Sequence, residues 1–430
     1  MLYAMYEMGR AAMTPWRAAV NAGRNAALSP MNPFFETPAA RTWAAAAEVF
    51  ERASRAYNRP DWMIEAAEIG GSRVPVSPET IFETPWMELT WFRREAGAMK
   101  AATGGKAQPK LLLVAPMSGH YATLLRGTVE AFLPDFEVFI TEWKNARAVP
   151  LSDGRFDLND YVDHVIDALH VLGPQTHVAA VCQPGPLVLA ATAVMADNDD
   201  PCTPASMTHM GSPIDARRSP TVPNVLAMQR PLSWFHDNLV HTVPAPYPGA
   251  LRRVYPGFLQ LMSFMNMNWD RHVDAHWSFF EHLVDGDGDS AEKHREFYDE
   301  YLAVMDLSEE FYIQTVDEVF QQFTLARGKM MHRGQRVRPQ AITKTALMTV
   351  EGENDDISGI GQTQAAHDLC ENIPEEMRLD HVQDGVGHYG VFNGRRFREE
   401  IAPCMKGFMR SHWDEKADLK ARPDFAALIR

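Results

Sequence analysis

Basic residues are scarce in this chain of 430: 41 Lys and Arg face 56 Asp and Glu, a formal net charge of −15. A face that binds nucleic acid needs clustered Lys and Arg, so that class of partner is excluded. Long apolar runs are missing as well. No stretch reaches the ~18 uninterrupted apolar residues of a membrane span, and the start, Met1-Leu2-Tyr3-Ala4-Met5-Tyr6-Glu7, lacks the basic and then apolar regions of a secretion signal. A soluble, cytoplasmic protein is therefore expected. There are only four cysteines, Cys182, Cys202, Cys370 and Cys404, and none stands at metal-ligand spacing. That fits a reducing compartment, gives no reason to expect a metal, and leaves Cys182 free to act as a thiol. What the chain does have is core material, 46% apolar and 10% aromatic residues.

The most informative stretch is residues 176–190, where a short β-branched and apolar run stops at Cys182 and Gln183-Pro184-Gly185-Pro186 opens a helix. Prolines suit the first helical turn, and Gly185 lets helix and strand approach closely. A side chain on such a turn is held out at the carboxyl edge of a sheet, with backbone N–H groups gathered around it. This is the geometry of a nucleophile elbow. The usual G-x-S-x-G is absent, and Ala180-Val181-Cys182-Gln183-Pro184 stands in its place.

Two later segments complete the constellation. Residues 345–350 read as a buried strand followed by an acidic turn, Glu351-Gly352-Glu353-Asn354-Asp355-Asp356. Residues 377–382 alternate apolar and polar like a short strand, and a glycine loop then carries His388. Nucleophile, acid and histidine in that order, each at a strand end, match the α/β-hydrolase arrangement. Asp355 is preferred to Asp356 because it comes first out of the turn. The apolar strand at 111–115 runs into Pro116-Met117-Ser118-Gly119-His120, the loop expected to supply one oxyanion donor. The candidates are the Ser118 N–H, with Met117 as runner-up, and the Gln183 N–H. His120 precedes the nucleophile and is read as part of that loop, not as the base.

The expected fold is α/β: a mostly parallel sheet with a helical cap insertion and a helical N-terminal extension. Boundaries fall at 1–85 for the extension, 86–214 and 341–430 for the two parts of the core, and 215–340 for the cap. In the extension, Thr14-Pro15 and Thr37-Pro38 each read as a helix start. Residues 74–94 suggest antiparallel edge strands and 97–110 a polar turn. In the cap, 258–269 and 276–280 read as helical, rich in Met and aromatics that suit a greasy substrate. Asp285-Gly286-Asp287-Gly288-Asp289-Ser290 imitates a calcium loop but has Ser290 where glycine is needed, so it is read as a solvated helix start.

Val114-Ala115-Pro116, Glu142-Trp143-Lys144-Asn145, the cysteine elbow, Asp355-Asp356-Ile357, and Gly387-His388 with Gly390-Val391 and Asn393 resemble the polyhydroxyalkanoate synthase and intracellular depolymerase group. The elbow Ala180-Val181-Cys182-Gln183-Pro184-Gly185 is similar to that of the intracellular poly(3-hydroxybutyrate) depolymerases. The resemblance implies ester cleavage in stored polyester at granule surfaces by Cys182, His388 and Asp355 through a thioester, releasing 3-hydroxybutyrate or short oligomers. Met117, Trp143 and Tyr389 are the expected substrate contacts. No cofactor is implied. Coenzyme A is a chemically reasonable acyl acceptor in place of water, although no phosphate-binding loop demands it. A homodimer is the default assembly. A polymerising synthase and a non-catalytic granule-binding protein are the alternatives.

Overall fold

The computed structural model describes residues 2–35, 37–267 and 269–429. Met1 of the N-terminal segment and Asn268 of the expected helical run lie outside them. Among the described residues the central sheet has nine strands: β1 (Ala66–Ile69), β2 (Ser72–Glu83), β3 (Met87–Arg94), β4 (Lys110–Val114), β5 (Glu137–Trp143), β6 (Thr176–Val181), β7 (Ser206–Met210), β8 (Ala346–Gly352) and β9 (Arg378–Gln383). Their order is β1-β2-β3-β5-β4-β6-β7-β8-β9. The first three pair antiparallel and β3 meets β5 antiparallel, while the remaining neighbours are parallel.

Composition explains this split. Strands β4, β6, β7 and β8 are buried along their whole length, as parallel strands covered on both faces must be. Along β4, Leu112 and Val114 enter one apolar cluster and Leu111 and Leu113 the other, since successive side chains point to opposite faces. On the first face lie α5 (Leu158–Leu172) and α6 (Gly185–Asp197), and on the second α4 (Arg126–Phe132) and the helix Ala402–Ser411. Strand order reverses around β4, so the carboxyl ends of β4 and β6 open onto the crevice where ligands bind in such sheets.

The cap follows β7 and contains α7 (Val222–Gln229), α8 (Leu232–Leu239), α9 (Gly257–Met267), α10 (Trp269–Asp285) and α11 (Gly288–Tyr301). The acidic run at 285–290 joins α10 to α11, and Asp287 caps α11 by accepting from the Ser290 N–H at 3.1 Å.

Two expectations are corrected. Thr14-Pro15 does not start a helix, because α1 (Leu2–Ala27) runs unbroken through Pro15. Proline weakens a helix interior by about 3 kcal/mol, but α1 is held from outside. It packs along α2 (Pro38–Ser54), Tyr3 binds Asp306 through its hydroxyl, and Tyr6 stacks on Phe258 at 4.0 Å. The polar stretch at 97–110 is not all turn. Its first part is α3 (Ala96–Thr103), capped by the Glu95 carboxylate on the Gly97 and Ala98 N–H groups and ended by left-handed Gly104.

A buried ion pair fastens the C-terminal segment. Lys110 Nζ lies 3.0 Å from Asp418 Oδ1, both side chains fully buried, and also donates to the Leu172 and Pro174 carbonyls. Removing one partner strands the other's charge. Asp418→Ala is expected to destabilise the fold by about 3–5 kcal/mol, read as a lower denaturation midpoint, and a midpoint equal to wild type would refute this.

Candidate active site

Strand β6 delivers Cys182 to a sharp turn, with φ of +67° in the left-handed region. Its N–H donates to the Met210 carbonyl of β7 at 2.8 Å, and its carbonyl accepts from the Gly185 N–H at 3.1 Å. Pro184 is the N-cap of α6 and Pro186 lies in its first turn. Gly185 makes this packing possible, since a Cβ there would fall 2.3 Å from Ser212 Cβ. A strained, exposed-edge position of this kind costs on the order of 1–3 kcal/mol and is typical of functional sites.

The turn after β8 carries Asp355, and the short helical turn His388–Val391 follows β9. Asp355 Oδ2 stands 2.8 Å from His388 Nδ1, and its other oxygen accepts from the Ile357 and Ser358 N–H groups at 2.9 and 2.8 Å. Asp356 is exposed. Cys182 faces the ring from the other side. Burial alone lowers the proton affinity of His388, but the facing Cys182 sulfur and the Asp355 carboxylate outweigh it and hold the imidazole well above its usual range. The structure thus brings Cys182, His388 and Asp355 together as nucleophile, base and orienting acid would be.

Gly211, at the end of β7, floors the pair. It has φ of +53°, and a Cβ would lie 3.1 Å from His388 Cε1 and 3.2 Å from Asp355 Oδ2. Gly211→Ala is expected to cut kcat by about 10²-fold through misplacement of the imidazole, with KM little changed. Wild-type turnover in this variant would refute it.

The oxyanion candidates sit at the carboxyl ends of β4 and β6. The Ser118 and Gln183 N–H groups have no acceptor among the described residues, while the Met117 N–H donates to Gln183 Oε1 at 3.2 Å. Of the two loop amides, Ser118 is the open one. His120 is buried with Nε2 at 3.1 Å from the Tyr301 carbonyl, and burial pulls it down to about 4. It is a neutral tie between loop and cap.

Two expected substrate contacts are displaced. The Met117 side chain is fully buried in the core. Trp143 is buried beneath the loop, stacked on Tyr161 at 4.1 Å, and both rings donate to the Ala115 carbonyl, at 2.8 and 3.2 Å. A buried indole N–H needs an acceptor, and the end of β4 offers one, so these rings hold the loop. Tyr389 remains at the site, half-buried, its ring centroid 6.2 Å from His388 and 6.3 Å from Tyr301 of α11. Tyr301, Tyr161 and Gly211 were not foreseen from the sequence. A glycine closing a buried strand was a usable signal for Gly211, whereas the tyrosines are placed only by tertiary packing. Among the described residues no group of three or more His, Cys, Asp or Glu side chains is placed to hold a metal ion, and no helix is long and apolar enough to cross a membrane.

Residues 211–413 match the family described as PHB de-polymerase C-terminus. Over that span, just under half of the chain, it resembles that family. The matched part holds Asp355 and His388, and Cys182 lies ahead of it. No curated protein matches the chain. Solved structures with similarity include a soluble variant of monoglyceride lipase from Saccharomyces cerevisiae, at 11% identity, 84% of this chain, 100% of that one and a TM-score of 0.47. A thermophilic esterase from Thermogutta terrifontis has 12% identity, coverage of 79% and 99%, and a TM-score of 0.40. A meta-cleavage product hydrolase from Pseudomonas fluorescens IP01 has 13% identity, coverage of 80% and 97%, and a TM-score of 0.41.

Proposed function

We propose that this protein is an intracellular depolymerase that cleaves ester bonds of stored poly(3-hydroxybutyrate). Cys182 Sγ attacks the ester carbonyl as its proton passes to His388 Nε2, and the oxyanion is met by the Ser118 and Gln183 N–H groups. The imidazolium then returns the proton to the leaving alkoxide, giving a thioester on Cys182. Water, deprotonated by His388, releases the acid. Asp355 keeps Nδ1 protonated and Nε2 directed at the sulfur throughout.

The observation that carries the reading is the meeting of a positive-φ cysteine with a buried histidine–aspartate pair 2.8 Å apart, within a chain whose later part matches a depolymerase family. Attachment to a polyester granule is supported by large apolar side chains left exposed on the N-terminal segment, among them Trp16, Met31, Phe34 and Trp43.

The test is release of 3-hydroxybutyrate, free or as its coenzyme A thioester, from amorphous granules with and without coenzyme A. Release supports the depolymerase, and dependence on coenzyme A replaces water by thiol as the acyl acceptor. Consumption of 3-hydroxybutyryl-coenzyme A into polymer would make the protein a synthase, and pelleting with granules without turnover would make it a binding protein.

A further inference from the structure

The residue after the cysteine is engaged at both ends. The backbone N–H of Gln183 stands open at the carboxyl end of β6, with no acceptor among the described residues, while its side chain reaches back across 66 positions of sequence to accept from the Met117 N–H through Oε1 at 3.2 Å. Only the oxygen of that amide can meet a backbone N–H, so the orientation of the side chain is fixed by its partner. The rest of the loop is pinned from other directions. The Ala115 N–H donates to Thr141 Oγ1 at 3.0 Å, Pro116 has no N–H, and the Gly119 carbonyl accepts from the Met305 N–H of the cap at 2.7 Å. Ser118 is therefore bracketed by two held residues. The peptide unit is planar, so the direction of the Ser118 N–H follows from the φ and ψ of Met117. Met117 in turn is held by its N–H on Gln183 and by its side chain in the core. Gly119, at φ of +107°, adds little stiffness of its own.

We propose that the Gln183 side chain is the positioning residue of the oxyanion hole: it ties the loop after β4 to the nucleophile turn and so fixes the Ser118 N–H at the spacing from the Gln183 N–H that one oxyanion needs. A single residue then carries one donor on its backbone and sets the other through its amide. Donors stabilise a developing charge most when they are already aimed at it and need no reorganisation. Neither shorter nor apolar side chains can replace this contact. Asparagine is one methylene short, and methionine has the reach but no comparable acceptor, which leaves the part-buried Met117 N–H unpaired and the loop free to turn. This role rests on the proposed cysteine mechanism and not on polyester being the substrate.

The test compares wild type, Gln183→Met, Gln183→Asn and Cys182→Ala in the full chain, with three readouts. The first is kcat and KM on p-nitrophenyl butyrate. The second is reversible inhibition by propyl trifluoromethyl ketone, in which Cys182 Sγ bonds to the carbonyl carbon, the C=O π bond becomes an oxyanion, the thiol proton passes to His388 and no group leaves. The third is the rate of Cys182 alkylation by iodoacetamide, which draws on the nucleophile but not on the oxyanion donors. In both Gln183 variants kcat is expected to fall by about 10²-fold, the scale of losing one oxyanion donor, and ketone affinity to fall in parallel. KM and the alkylation rate should stay within about twofold of wild type. Wild-type kcat and ketone affinity in a folded Gln183 variant, or an alkylation rate that falls as far as ketone affinity does, would overturn the proposal, the second because it marks general damage to the elbow. An inhibitor adduct absent from wild type, or one retained in Cys182→Ala, would remove the cysteine mechanism and this role with it.

Discussion

Cys182→Ala is expected to lower kcat on a soluble butyrate ester, and release of acid from polyester granules, by about 10⁴–10⁶-fold. The reason is positional as well as chemical. At φ of +67° the side chain of residue 182 is thrust out of the sheet toward His388, and Pro184, two residues on, is already the N-cap of α6. No neighbouring side chain can take its place, since Gln183 is turned to the Met117 N–H. Alanine keeps the backbone conformation at similar cost, so the melting temperature should stay within a degree or two of wild type. Cys182→Ser retains a hydroxyl at the same place and should recover a small part of the rate, because the Asp355-paired histidine can still accept a proton from it. A Cys182→Ala protein retaining more than about a tenth of wild-type turnover would remove the cysteine from the mechanism and, with it, the thioester.

Much of this site was legible because its parts sit where regular elements stop. Strands β4, β6, β7 and β8 are buried on both faces, so they read as apolar runs, and the residues just past each run form the functional edge of the sheet. Cys182, Asp355 and His388 were picked out that way, and the structure brings their side chains together. What the sequence could not reveal depends on contacts between distant segments. Nothing local to Trp143 says that its indole is engaged with Ala115, 28 residues away in sequence, and an aromatic beside a strand end reads equally as a substrate wall or a loop support. Met117 presents the same ambiguity: it lies in the loop that follows β4 yet packs into the core. Pro15 misled for a different reason. Local propensity marks a proline as a start, while α1 is held together by packing along α2 and by the Tyr3 contact to Asp306, some 300 residues later. The cap over the site is likewise tied down by backbone carbonyls, at Tyr301 and Gly119, which carry no sequence signature.

Asp355→Asn separates orientation from charge at the same place. Wild-type Asp355 accepts three hydrogen bonds, from His388 Nδ1 and from the Ile357 and Ser358 N–H groups. Asparagine has one oxygen and one NH₂. If its oxygen keeps the two backbone donors, the NH₂ is left facing His388 Nδ1, which must then be the unprotonated nitrogen; the proton moves to Nε2, and the ring can no longer accept from Cys182. A loss of about 10⁴-fold in kcat is expected from that tautomer alone. The pH dependence carries a second signature. In the wild-type site the Cys182 sulfur and the Asp355 carboxylate together hold His388 well above its usual range against the opposing effect of burial. Removing the carboxylate leaves burial less opposed, so the folded value falls. The alkaline limb of the rate profile, where the imidazolium that protonates the leaving alkoxide is lost, should therefore shift to lower pH. Stability follows the same sign. A raised folded value contributes stability that is complete below the unfolded value of about 6.5 and disappears as pH rises through the folded one. The difference in unfolding free energy between wild type and Asp355→Asn should accordingly be larger at pH 5.5 than at alkaline pH. Unchanged kcat, or an alkaline limb that stays in place in the variant, would mean that Asp355 supports its turn through Ile357 and Ser358 and does not act through His388.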